Sequence, residues 1–517
     1  MAVRIEKEER RVIPNWRSFT TTAYLGELDS VKLQGKSNVN LSIDSYIADF
    51  NTNKTVVYAA DLLSASVVNG FEEKQEVKEA AEFILEKEHE SSSSLIAIAK
   101  SISNGRQIEN QKQLERITIK DLTNCFVTTD YRTEIHNLKK YLKNYASNPI
   151  AWVELSRCYA ILGQAAQAIF SMKAALQLAP YNRYVTRCAV RLFSHYGDLE
   201  LAHYVLKKNI ATQHDPWLTS AEISIALMLG KNSNLMKKGI ALIESNNFSP
   251  FMVTELAGAI ATTELINGSR KKSRKMFRKS LESPNDNSLA QIEWILNSKD
   301  KDLLDKSEIN INTKQNYEAL AIANFYKKDL VEALNNTCQW FCDMPYSKRP
   351  VLLGSGIADV LDNRKLAIDF LKKGLIAHEG DAQMINNIAY YLSIDGDTIN
   401  ARKFLSQANL VGIPKNVEIC LTATKGLICF REKQYDEGRK LYLKAIQDTL
   451  VENNKELNWT AILNYAREEI IAKSDQINTV MNIVSQIPQD ENNDITIKKL
   501  QAEVEKLYIK YKDNNRC

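Results

Sequence analysis

Between Asn148 and Pro180 the apolar positions recur at three- and four-residue intervals, with one interruption at a glycine. Trp152, Leu155 and Tyr159 share one side of a first helix, because residues three and four apart lie on the same face. Gly163 falls at the interruption and tolerates the backbone angles of a tight turn. Ala168, Met172 and Ala175 continue the stripe on a second helix, small where the helices approach most closely, and Pro180 ends it. The pattern predicts a helix–turn–helix hairpin. Such a hairpin cannot bury all of its apolar surface alone, so copies are required.

Copies are present. Tyr317, Leu320, Ala333, Trp340 and Pro345 repeat the spacing. Ala358, Ala367 and Leu371 follow in register, then Ile388, Ala389, Leu392, Gly396, Ala401, Leu405 and Ala408, closed by Pro414. Gly426, Gly438, Tyr442 and Ala445 mark another unit, and Trp459, Ile462 and Ala466 open one more. Upstream, Phe193, Gly197, Ala202 and Leu206 continue the first hairpin, while Trp217–Gly230 and Leu256–Leu281 are degenerate units with loops out of step. The run LAQIEWIL predicts a further helix, followed by a charged break, NSKDKDLLDKSEIN.

This arrangement resembles the tetratricopeptide-repeat (TPR) family over roughly residues 131 to 512, about nine or ten helix pairs. Ser156 stands where the family usually has glycine. The resemblance implies an all-α, TPR-type solenoid: helix pairs stacked into a right-handed superhelix whose first helices line a concave groove. The expected organisation is an extended arm over 1–55 and a helical region over 56–130, either degenerate repeats or a small helical domain. An N-terminal array over 131–299 and a charged break or hinge over 300–315 follow. A C-terminal array over 316–490 and a capping helix with tail over 491–517 complete the chain.

What the resemblance implies for binding is a groove lined by first-helix side chains outside the buried stripe. In the first two units these are Glu154, Arg157, Tyr184, Arg187 and Arg191; in the unit from Ala382 they are Gln383, Asn386, Asn387 and Tyr390. Three guanidinium groups in one concavity suit carboxylates or a phosphate, and amides suit an extended peptide backbone. The Lys and Asn set of chaperone-binding TPR domains is missing, which disfavours chaperone C-terminal tails. The segment Arg10–Leu28, RRVIPNWRSFTTTAYLGEL, mixes basic, aromatic and β-branched residues without helical period. It reads as a strand lying extended across a surface, either its own solenoid's or a partner's. Helical stretches are expected at Val56–Asn69, Lys74–Lys87 and Leu95–Ile102.

Bulk properties narrow the function. With 67 basic against 63 acidic residues, the net charge of +4 supplies no global field toward nucleic acid or membrane. One local exception is Arg270–Lys279, where Arg270, Lys271, Arg274, Lys275 and Arg278 point outward from a second helix. The default reading is a solvated face; the sharper one is contact with an acidic protein or a nucleic-acid backbone. The charged start MAVRIEKEERR shows no secretory signal and no apolar run approaches a membrane span, so a cytoplasmic location is expected. Eight cysteines fall mostly inside expected helices as small core hydrophobes. Cys338 and Cys342 lie one turn apart, yet no second pair or nearby His completes a metal set.

No Gly-rich phosphate loop, G-x-S-x-G elbow or H-E-x-x-H helix occurs, and the six histidines are scattered. The expectation is a non-enzyme without cofactor or metal: a scaffold or adaptor holding proteins or peptides through its groove and arm. Alternatives are a nucleic-acid-associated protein using 270–279 and an enzyme with an unrecognised site in residues 1–130. An Asn-, Lys- and Ile-rich composition suits a bacterial chain, in which a stress-response or phage-defence complex is a guess that no residue carries.

Overall fold

The computed structural model of the chain describes residues 16–18, 43–69, 71–91, 93–103, 128–144, 146–245, 247–298, 300–305, 313, 316–488 and 495–514. The rest of the expected arm, the later part of the charged break, Cys125 and Cys517 lie outside the described residues. Among the described residues helices make up the architecture, and outside them a parallel bridge links Asp381 and Asn409. Two compact units are formed by the described residues, one within Lys7–Tyr346 and one within Ser347–Cys517. The division falls at Tyr346–Ser347, beyond the charged break.

In the first unit, α1 (Asp44–Thr52), α2 (Val56–Asn69), α3 (Gln75–Glu86) and α4 (Ser93–Ser103) pack successively against one another. α1 adds a helix inside the stretch read as arm. α5 (Thr128–Asn144) lies on α6 (Pro149–Ile161) through Leu138, Leu142, Ala151 and Leu155. The hairpin of α6 and α7 (Ala165–Leu178) shows why the repeat folds locally. The Asn148 side chain accepts from the amides of Ile150 and Ala151, with Pro149 in the first turn, as a helix start requires. Gly163 closes the turn at φ +70°, a left-handed angle costly for residues with a Cβ. Ala168, Met172 and Ala175 are fully buried. Ser156 donates from Oγ to the Ala168 carbonyl at 2.7 Å, so its hydroxyl is satisfied at the helix crossing.

The array continues with α8 (Arg183–His195), α9 (Leu199–Lys208), α10 (Pro216–Met228), α11 (Met236–Glu244), α12 (Pro250–Ile266), α13 (Arg270–Ser280) and α14 (Asp286–Leu296). No full second helix follows α14 among the described residues; a 3-10 turn, Lys301–Leu303, stands there. α15 (Tyr317–Tyr326) packs directly on α14 across the charged break and pairs with α16 (Leu330–Asp343).

The second unit stacks α17 (Lys348–Val360) with α18 (Arg364–Ala377), α19 (Ala382–Ile394) with α20 (Thr398–Leu405), and α21 (Lys415–Arg431) with α22 (Tyr435–Val451). α23 (Lys455–Ala472) pairs with α24 (Ile477–Val484), and α25 (Ile495–Asn514) completes the stack. α25 buries Ile497, Leu500 and Val504 and packs on α23; it also reaches α17, and Lys499 Nζ lies 2.6 Å from Asp362 Oδ1 in the turn after that helix.

Candidate functional site: the inner wall of the first array

First and second helices differ in burial. On α7 only one stripe is buried, whereas on α8 every residue from Arg183 to Phe193 is. α10 and α12 repeat this, buried without a gap over Pro216–Ala226 and Val253–Thr262. The inner helices are thus covered on the face where an open groove was expected, so their charged side chains must find partners within the protein.

They do. Arg157 Nε lies 3.4 Å from Glu154 Oε2, one turn away on α6. Arg187 pairs with Glu255 on α12 at 2.8 Å, and its guanidinium lies 4.4 Å from the centre of the Trp217 ring. Asn285 donates to the second oxygen of Glu255 at 2.8 Å. Arg183, missed by sequence reasoning, is paired with Asp215 at the start of α10. Burial works against the Arg157 charge, but Glu154 and its other neighbours outweigh it and hold the guanidinium protonated. Arg191 and Arg157 both act electrostatically on the Tyr346 hydroxyl, opposing the rise that burial causes. Yet Arg157, Tyr184, Arg187 and Arg191 are all buried. No three open guanidinium groups face an incoming anion.

The wall instead holds a piece of its own chain. Trp16 is fully buried, its amide donating to Tyr346 Oη at 3.0 Å and its ring 5.7 Å from that of Tyr346. His195 packs edge-on against the same tyrosine at 5.1 Å. Arg17 lies 2.5 Å from Asp343 Oδ2 and 2.8 Å from Asp286 Oδ2, bridging the end of α16 and the start of α14. Ser18 donates to Glu154 Oε2 at 3.0 Å, back on α6. Three extended residues span only about 10 Å. The first and last described hairpins of this wall therefore come within one tripeptide's reach, and the wall curls around its occupant.

Burial opposes the charge of Arg17, but Asp286 and Asp343 together raise its pKa beyond the ordinary arginine range. Burial pushes the Asp343 carboxyl up, with Arg17 working against that rise. The Tyr346 hydroxyl is pushed up to about 12, mainly by burial, and stays neutral as the acceptor for Trp16. The sequence signal for this seat was the aperiodic, basic–aromatic stretch around Pro14; nothing in it pointed to Asp286, Asp343 or Tyr346.

In the second unit Asn386, Asn387 and Tyr390 are buried as well. Asn386 donates to Asn387 Oδ1 at 3.3 Å, and Tyr390 donates to Asn464 Oδ1 on α23 at 3.0 Å. Arg467, also on α23, reaches Tyr390 Oη at 3.3 Å, Glu468 at 2.8 Å and Glu503 of α25 at 3.9 Å. Burial opposes its charge, but Tyr390 and Glu468 hold it protonated. Sequence reasoning missed Arg467 and Glu468, which sit in a motif-poor stretch. Gln383 is half-buried at the helix start.

On α13, Ser273, Met276 and Phe277 face inward, and Arg270, Lys271, Arg274, Lys275 and Arg278 are exposed. Among them, Arg270 pairs with Asp300, and Arg274 donates to the Leu303 carbonyl at 2.8 Å. Together they pin the turn that follows α14. Cys338 is buried and Cys342 half-buried in the α16 packing, and burial pushes the Cys158 thiol up to about 12. His203 contacts Glu222 at 3.1 Å in the core. Among the described residues no cluster of three His, Cys, Asp or Glu side chains could hold a metal ion, and no helix is long and apolar enough to cross a membrane.

Residues 150–182 match the tetratricopeptide repeat. The chain is an all-α solenoid of TPR type. No curated protein matches its sequence. Solved structures similar to it include yeast Tom70, at 12% identity over 76% of this chain and 95% of that one, TM-score 0.29. The human IFIT1 dimer with m7Gppp-AAAA is 14% identical over 81% and 98%, TM-score 0.32. Naa15/Naa10 bound to HypK-THB is 12% identical over 90% and 89%, TM-score 0.26. These likenesses are distant and carry no information on what this TPR solenoid binds.

Proposed function

We propose that the protein is a non-catalytic scaffold that binds partner proteins or peptides through the concave wall of its TPR array and its N-terminal arm, as a subunit of a larger complex. The observation that supports this best is the seat of Trp16–Arg17–Ser18: an extended segment held side chain by side chain on the inner wall. Backbone, aromatic ring and guanidinium each have a matched group there, which is what peptide recognition needs. The buried ion pairs of Arg157 and Arg187 then serve to stiffen the wall. The groove positions Arg157, Tyr184, Arg187, Arg191, Asn386, Asn387 and Tyr390 remain part of this reading as wall-forming residues.

The test is purification of the full chain from its native cells with cross-linking and mapping of the linked residues. The expected result is a stoichiometric partner linked to lysines or acidic residues bordering the inner helices. Links confined to α13, or no stoichiometric partner, would overturn it. The nucleic-acid alternative is weakened by the internal duties of Arg270 and Arg274.

A further inference from the structure

The seat of residues 16–18 combines two aromatic rings, Tyr346 and His195, with two carboxylates, Asp286 and Asp343, that converge on one guanidinium. Its chemistry is specific: an aromatic side chain directly followed by a cation with a planar, two-sided donor set. Lysine would engage one carboxylate well and the other poorly, whereas arginine serves both from different nitrogens. The present occupant is also imperfect. The Trp16 indole Nε1 and the Asp343 Oδ1 are buried without a hydrogen-bond partner. A contact shaped for stability alone satisfies such atoms, because leaving them buried and bare opposes folding. An occupant tethered in cis needs little intrinsic affinity, since its effective concentration is high.

We propose that this seat is a recognition site for an extended segment of a partner protein carrying an aromatic residue directly followed by arginine, and that Trp16–Arg17 fills it as an internal stand-in. The inference rests on the scaffold reading and adds the ligand class and a competition: partner and arm exclude one another. A partner segment prevails when it also supplies groups for the indole N–H or for Asp343 Oδ1, or when it is present above the effective concentration of the arm.

The experiment uses the full chain and a fluorescently labelled synthetic peptide, VIPNWRSFTTT, copied from residues 12–22. Fluorescence anisotropy is read against the wild-type chain and against a Trp16→Ala, Arg17→Ala chain whose helicity is checked by circular dichroism. Binding at least tenfold tighter to the double variant is expected, with at least a tenfold loss when the peptide's Arg is replaced by Glu. Equal affinity for both chains, binding to neither, or indifference to the charge reversal overturns the proposal. Should the double variant not fold, hydrogen exchange at the Trp16 amide of the wild-type chain decides. Loss of its protection under saturating peptide supports displacement, and unchanged protection refutes it. A native partner cross-linked to the inner wall alongside a failed peptide assay would sink this inference and leave the scaffold reading intact.

Discussion

Replacing Arg17 by methionine isolates the force that keeps the arm seated. Methionine keeps most of the length and apolar stem and removes only the charge. Full burial of Trp16 takes roughly 150–250 Å² out of water, about 4–6 kcal/mol at ~25 cal/mol per Å². Ordering three backbone residues costs about 3–6 kcal/mol. These terms nearly cancel, so the pairing of Arg17 with Asp286 and Asp343 decides whether the arm stays. Removing one member of a buried ion pair costs about 3–5 kcal/mol, because the remaining charge is stranded. Two carboxylates would be stranded here, and the cheapest relief is for the arm to leave and admit water. Hydrogen exchange at the Trp16 amide, which donates to Tyr346, reads this directly. A loss of ~3 kcal/mol corresponds to protection falling about a hundredfold at pH 7. The pH dependence has a definite sign. Burial raises the Asp343 carboxyl in the docked state, so the docked variant binds more protons than the undocked one. Docking of the variant should therefore strengthen as pH falls through the raised value toward the ordinary carboxylate range near ~4, and weaken as pH rises. Unchanged Trp16 protection in Arg17→Met at pH 7 would refute the reasoning.

Other outcomes can be checked by denaturant unfolding of the full chain or by titration. Ser156→Ala should lower the stability of the first unit by about 1 kcal/mol, because the Ala168 carbonyl loses a buried donor; no measurable change would mean water replaces it. Gly438→Ala places a Cβ 2.6 Å from the Phe430 ring and 3.1 Å from the Gly426 carbonyl, so a loss of about 1–3 kcal/mol is expected in the second unit. Lys433 takes the left-handed turn position at φ +64°, and Lys433→Gly should be neutral to stabilising by about 0.5 kcal/mol, strain relief narrowly exceeding the entropy cost. A clear loss would contradict the turn geometry. Lys271→Glu with Lys275→Glu should leave both stability and generic RNA or DNA binding at low salt unchanged; salt-sensitive binding lost on this reversal would revive the nucleic-acid reading.

Sequence alone determined the elements whose causes are local. The turn at Gly163 and the stripe of Ala168, Met172 and Ala175 act within one hairpin, and the structure has them where the spacing put them. The helices at 56–69, 75–86 and 93–103 were legible for the same reason. What became of the concave wall was decided by tertiary structure. Small rotations from each repeat to the next add up along the stack, and no single hairpin encodes their sum. Hence Arg187 meets an acid 68 positions away, Tyr390 meets Arg467 at 77, and Arg17 meets Asp343 at 326. Side chains that a straight stack would offer to solvent are turned onto one another and onto the arm, since buried charges must be paired once the wall closes.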